Sequence, residues 1–162
     1  MRVLSSLFLL LLAFSCSGPS PSFDKEKARK RIQQLLDDWH RAAARADKKG
    51  YFGAMDSNAV FIGTDPSERW KKSAFEEWAS PHFKGDQAWK FHPSDRHLRF
   101  GPQGKTAWFD EKLDTWMGTC RGSGVLLRRS KGWRLAHYHL SKTIPNGRMD
   151  TVLKVLEVSP AR

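Results

Sequence analysis

One grouping in the chain has residue types that could move protons. Glu111 sits in an alternating apolar run, Ala107-Trp108-Phe109-Asp110-Glu111, and His137 and His139 sit in a later run of the same kind, His137-Tyr138-His139-Leu140. Side chains at i and i+2 of a strand point to one side, so the two imidazoles share a face. A carboxylate base beside an imidazole acid makes a proton-transfer pair when the two are within hydrogen-bond reach and burial lifts the carboxylate toward neutrality. Glu111 with His137 or His139 is therefore the catalytic candidate, for isomerisation or dehydration. Structural readings stay open beside it: Glu111 paired with Arg69 or capping a helix, and the histidines as hydrogen-bonded strand residues. Two imidazoles and a carboxylate also match a metal set, but no metal is assigned. His40, His82, His92 and His97 lack ligand spacing such as HExxH.

Whether these groups meet depends on register. Lys131-Gly132 and Met117-Gly118 read as two-residue hairpin turns. Pairing outward from them sets Glu111 beside Gly124, Gly124 beside His139, Phe109 beside Leu126 and Leu126 beside His137. All then share a face with Ala107, Leu113, Gly122 and Leu135, and the glycines of the middle strand leave room above it. The sheet becomes a pocket floor, with Phe109 as a ligand contact and Trp70 as a wall. A slip of one residue exchanges the faces and turns Asp110, Arg121 and Tyr138 inward, which makes Arg121 and Tyr138 ligand-binding candidates.

The elements that must position these residues follow from periodicity. Ile32, Leu35, Leu36, Trp39, Ala42, Ala43 and Ala46 recur at helical steps between Asp24 and about Lys49, with Gly50 ending the helix. A short helical turn over Tyr51 to Met55 precedes a strand at Ala59 to Gly63. Ser73 and Glu76 form a capping box for a helix carrying Phe75, Trp78 and Ala79, stopped by Pro81. Strands follow over Trp89–His92, His97–Phe100, Thr106–Trp116, Cys120–Arg129 and Trp133–Thr143, with a short terminal helix over Met149 to Val158. Helices first and strands afterwards indicate an α+β fold with helices covering one side of a curved antiparallel sheet.

Composition sets the bounds. The 162 residues suit one domain, and 40% hydrophobic residues with seven Trp and ten Phe exclude a disordered chain. The net charge of +11 raises a nucleic-acid partner, yet basic and acidic residues are mixed over residues 24–49 where phosphate binding favours a stripe of one sign. No nucleic-acid partner is expected. Neither a phosphate loop nor a nucleophile elbow is present, so no cofactor is expected. Arg2, the apolar run to Phe14 and the small residues after it have the layout of an export signal over residues 1–15. Ala13-Phe14-Ser15-Cys16 resembles a bacterial lipobox, which implies lipidation of Cys16, a membrane anchor and an unpaired Cys120. Residues 16–23 then form a Pro/Ser tether to a single domain over residues 24–162.

Several motifs recur in a telling order: Phe61-Ile62-Gly63-Thr64-Asp65, Glu68-Arg69-Trp70, Ala107 to Glu111, Arg121-Gly122-Ser123-Gly124-Val125-Leu126, His137 to Ser141, and Ile144-Pro145-Asn146. Together they resemble the SnoaL-like branch of the nuclear transport factor 2-like (NTF2-like) superfamily, from about Ile32 to Asn146. The resemblance implies a cone-shaped barrel, with N-terminal helices packed over a strongly curved antiparallel sheet and a cavity between. It implies isomerases, cyclases and dehydratases as well as members that only bind ligands or partners, and homodimers formed through the outer sheet face. The expectation is an exported, cell-envelope protein that binds a small apolar or amphipathic ligand, or a partner, in its cavity. The alternative is an enzyme using Glu111 with His137 or His139.

Overall fold

The computed structural model describes residues 23–157. The export signal, Cys16 and most of the Pro/Ser stretch lie outside the described residues.

Helix α1 (Lys25–Ala44) starts where the Asp24 side chain accepts a hydrogen bond from the Lys27 amide at 2.9 Å, and it buries Ile32, Leu36, Trp39, His40 and Ala43. It stops at Arg45, earlier than its apolar stripe predicts. Ala46 turns to a φ of 50°, and Asp47 caps a second helix, α2 (Lys48–Ala54), by accepting from Gly50 N. Gly50 therefore lies inside a helix rather than ending one. A Cβ there would fall 2.4 Å from the capping Asp47 carboxylate, which would have to shift. Helix α3 (Lys72–Ala79) begins after Lys71 without any side-chain cap, so the Ser73–Glu76 box does not form. A 3-10 segment, Ser80–Lys84, carries the chain past Pro81, and α4 (Met149–Val155) closes the described part.

The strands are β1 (Met55–Ile62), β2 (Arg69–Lys71), β3 (His92–Phe100), β4 (Thr106–Thr115), β5 (Gly118–Arg129) and β6 (Gly132–Lys142). They form one sheet in the order β2-β1-β6-β5-β4-β3, with β2 and β3 as edges, so the sheet is not closed. All neighbours are antiparallel except β1 and β6. The sheet is thus mixed, because β6 returns beside β1 only after α3 and the β3–β5 meander, a connection long enough for parallel pairing. The α+β layering is as the residue periods indicate: α1 packs on β3 and β6, and α3 packs on β1.

The first hairpin accounts for the sequence VFIGTDPSERW. Asp65 accepts from Ser67 N at 2.8 Å, which shapes the turn, and the chain comes back as β2 with Trp70 opposite Phe61. At the other end of the molecule, Phe23 lies edge-on to Phe100 at 5.3 Å and covers Gly104, which has a φ of 62°. A Cβ on Gly104 would sit 2.3 Å from the Phe23 ring.

Candidate functional site

Register decides which predicted residues meet. The β4–β5 turn is Trp116-Met117 and the β5–β6 turn is Ser130-Lys131, each one residue earlier than expected. Gly118 and Gly132 follow these turns at φ of 88° and 108°, so each glycine serves as the left-handed residue that rejoins the strand. Moving a turn by one residue moves the pairing by two, which preserves the face. Glu111 therefore pairs with Gly122 instead of Gly124, and stays with Phe109, Leu113 and Leu126 on the inner side.

Strand β6 differs for another reason. Leu126 pairs with Leu135 but Val125 pairs with His137, so Ala136 is an extra residue, a β-bulge. Beyond it every side chain changes face. Tyr138 and Leu140 are buried inside, and His137 and His139 lie half-buried on the outer face. The expected meeting of Glu111 with His137 and His139 is corrected: the carboxylate and the two imidazoles are on opposite sides of the sheet. His139 Nε2 is 3.2 Å from Ser141 Oγ. Burial, then His139 and Arg69, holds the His137 imidazole below its ordinary pKa.

Glu111 is fully buried, and both of its oxygens are engaged. His40 Nε2 on α1 donates to Oε1 at 2.7 Å, and Arg96 Nε on β3 donates to Oε2 at 2.7 Å. Arg96 also reaches Asp37 on α1 at 2.8 Å. Burial pushes the Glu111 carboxyl up, but His40 and Arg96 outweigh it and hold the group below its ordinary pKa. Burial lowers Arg96 in turn, and Glu111 and Asp37 more than restore it. The four residues tie α1 to the sheet. The structural reading of Glu111 as an ion-pair member is the one realised, with Arg96 rather than Arg69 as partner.

The room expected above the central glycines is filled. A Cβ on Gly122 would lie 2.2 Å from Tyr138 Oη, and one on Gly124 would lie 2.7 Å from the Phe109 ring. Phe109 and Tyr138 therefore belong to the packed interior rather than to a cavity wall. Tyr138 Oη and Trp39 Nε1 are buried without a hydrogen-bond partner among the described residues. Burial, followed by Glu111 and Tyr51, pushes the Tyr138 phenol well above its usual pKa. Arg121 lies on the outer face and pairs with Asp110 at 3.0 Å.

The cavity lies farther along, at the end of the sheet where the β1–β2 loop, α3 and the β4–β5 turn converge. It measures about 260 Å³ and is walled by Trp70, Trp78, Trp89 and Trp116. Ring stacking builds one wall: Phe61 on Phe75 at 4.0 Å, Trp70 on Phe75 at 5.5 Å, and Trp78 on Trp70 at 4.8 Å. Trp116, on the β4–β5 hairpin turn, also lines the cavity and is 83% exposed. Glu68 and His82 bring the titratable groups to the lining. Glu68 folds over Gly63, where a Cβ would be 2.0 Å from its Oε2, and that oxygen accepts from Asp65 N at 3.2 Å.

Of the predicted site residues, only Trp70 reaches this cavity. The others at its rim carried readable signals. Trp78 and His82 are one helical turn apart after Phe75, and Trp116 is a large aromatic placed in a tight turn, where no core demands it. Among the described residues no cluster of three or more His, Cys, Asp or Glu has the arrangement of a metal site, and no helix is long and apolar enough to cross a membrane.

Known proteins agree with this architecture. Residues 32–145 match the model of the SnoaL-like domain. No curated protein matches the chain. An NTF2-like protein of unknown function from Pseudomonas putida superposes with a TM-score of 0.64 at 18% identity, over 75% of this chain and 91% of its own. A cystatin-like-fold domain of unknown function from Nostoc punctiforme gives 0.67 at 15%, over 84% and 90%. A suggested dehydratase of the NTF2-like family from Streptomyces avermitilis gives 0.63 at 13%, over 75% and 100%. At these identities the likeness speaks for fold alone. A domain match over most of the described residues means that this chain belongs to the SnoaL-like domain family, and its helical layer over an open six-stranded sheet is the fold of the NTF2-like structures.

Proposed function

We propose that the chain is an exported, lipid-anchored protein of the cell envelope whose cavity binds a small apolar or amphipathic molecule. The observation that carries the binding half is the cavity of about 260 Å³ with four tryptophans on its walls, at the open end of the sheet. Ligand pockets commonly run from about 300 to 1,000 Å³, so this one suits a guest of one or two rings. Trp78 and Trp116 on its lining keep apolar surface in water that a guest would cover, at about 25 cal/mol per Å². The export half rests on the residue layout before and at Cys16.

A proton-transfer enzyme built on Glu111 with His137 or His139 finds no support in this arrangement. Glu111 has no free oxygen and the imidazoles are across the sheet. Two measurements test the proposal. Titrating the chain with naphthalene-class probes should change its tryptophan fluorescence saturably and raise its melting temperature, and a flat response removes the binding reading. Labelling cells with radioactive palmitate should mark the wild-type chain and not Cys16→Ser, and equal labelling removes the anchor.

A further inference from the structure

We infer that the guest carries a positive charge: the cavity takes a small organic cation, a quaternary or protonated amine on an apolar body. This rests on the ligand-binding reading above and adds the sign of the ligand's charge.

The walls come first. Tryptophan faces are the negative side of the ring quadrupole, and they attract a cation held within about 6 Å of the ring centre. Trp70, Trp78, Trp89 and Trp116 line one small cavity, so a single guest can meet several rings at once. Met117 beside Trp116 adds an adaptable, polarisable thioether to the lining.

The charges point the same way, against the bulk of the molecule. The chain carries +11 overall. Among the described residues, Glu68 is the one carboxylate on the lining, and neither Lys nor Arg lines it. Alternation keeps the cations out: Arg69 and Lys71 flank Trp70 on β2 and are exposed on the other side, and Lys90, between Trp89 and Phe91, lines a separate hollow beside His40. Glu68 makes no ion pair among the described residues, unlike Asp56 with Arg129 or Glu111 with Arg96. Its carboxylate accepts one backbone hydrogen bond through Oε2, so capacity remains for a cationic guest. A basic protein that keeps its Lys and Arg side chains off an aromatic cavity and leaves a carboxylate without an ion pair there has a cavity matched to a cation.

An isosteric pair of probes isolates the charge. Benzyltrimethylammonium and neopentylbenzene have the same shape and differ by one charge. Calorimetric and fluorescence titrations of the chain should give a Kd for the cation at least tenfold below that of the hydrocarbon, about 1.4 kcal/mol. Glu68→Gln keeps an oxygen for the Asp65 amide, and should remove most of that ratio while holding the hydrocarbon's affinity within about twofold. Equal affinities for the two probes overturn the cation assignment and leave the apolar pocket standing. Binding of neither probe overturns both. A ratio unmoved in Glu68→Gln overturns Glu68 as the counter-ion.

Discussion

His40 on α1 donates a 2.7 Å hydrogen bond to Glu111 on β4, joining the helical layer to the sheet through two buried polar groups 71 positions apart in sequence. Because an ionised carboxylate only accepts, His40 must carry its proton on Nε2. Removing the carboxylate leaves the buried His40 donor without its charged acceptor and the partly buried Arg96 with Asp37 as its remaining carboxylate. Glu111→Gln should therefore destabilise the fold by about 3 kcal/mol, the lower end for one lost member of a buried ion pair. Urea denaturation followed by far-UV circular dichroism measures it, and a loss below about 1 kcal/mol would remove the network's structural role.

Acid should act on the same network. A carboxyl whose folded pKa is depressed contributes stability that is present above its unfolded value and is lost as pH falls through the folded one. For Glu111 that loss starts near the ordinary value of 4.5 and continues below it. His137 adds an earlier step. Its folded pKa is also lowered, so the unfolded chain binds the extra proton first and stability declines as pH falls below the ordinary 6.5. Unfolding midpoints measured from pH 8 to pH 3 should show both slopes, and His137→Asn should erase only the upper one.

Tyr138→Phe should be neutral or stabilising by up to about 1 kcal/mol. The hydroxyl is buried over Gly122 without a partner among the described residues, and an unsatisfied buried donor costs more than its absence. Thermal denaturation of the variant decides it. A drop in stability means that the hydroxyl is bonded after all.

His139→Ala should change stability by less than about 1 kcal/mol and leave probe binding at the wild-type value, since the residue is half-buried on the outer face and its polar contact is Ser141. Loss of binding in this variant would place the site on the other side of the sheet.

Trp116→Ala should weaken binding of an aromatic probe by about tenfold, given a ring-stacking contribution near 1 kcal/mol or more. Its melting temperature should stay within a degree or two of wild type, because the side chain is 83% exposed. Fluorescence titration and a thermal scan on one sample separate the two effects.

Much of the fold was legible because it rests on local periodicity. The stripe from Ile32 to Ala43 and the alternation of Ala107 to Leu113 report their inner faces directly, and helices preceding strands set the layers. Glu111 was identified as an inward carboxylate for the same reason. Its partners were not. Arg96 lies on an edge strand interrupted by a bulge between Ser94 and His97, so alternation says nothing reliable about where it points. His40, four residues after Leu36 on the buried stripe of α1, did carry a signal.

The faces of His137 and His139 were illegible for a sharper reason. One unpaired residue, Ala136, reverses everything beyond it, and an alanine between Leu135 and His137 gives no composition cue for a bulge. The cavity was hard to place because its walls are gathered from several loops, a short helix and three different strands rather than from one strand. The motifs around Phe61 to Thr64 and Glu68 to Trp70 supply part of its lining, but Trp78, Trp89 and Trp116 lie in none of them.

Phe23 fixes the first described residue at one end of the sheet. It is pinned over Gly104 and against Phe100, and Phe100 pairs with Ala107 near the start of β4, whereas Trp116 follows that strand's last residue, Thr115. Ten residues of strand, about 30 Å, separate that end from the rim. The first described residue and the aromatic mouth therefore sit at opposite ends of one strand, so chemistry attached at one leaves the other free.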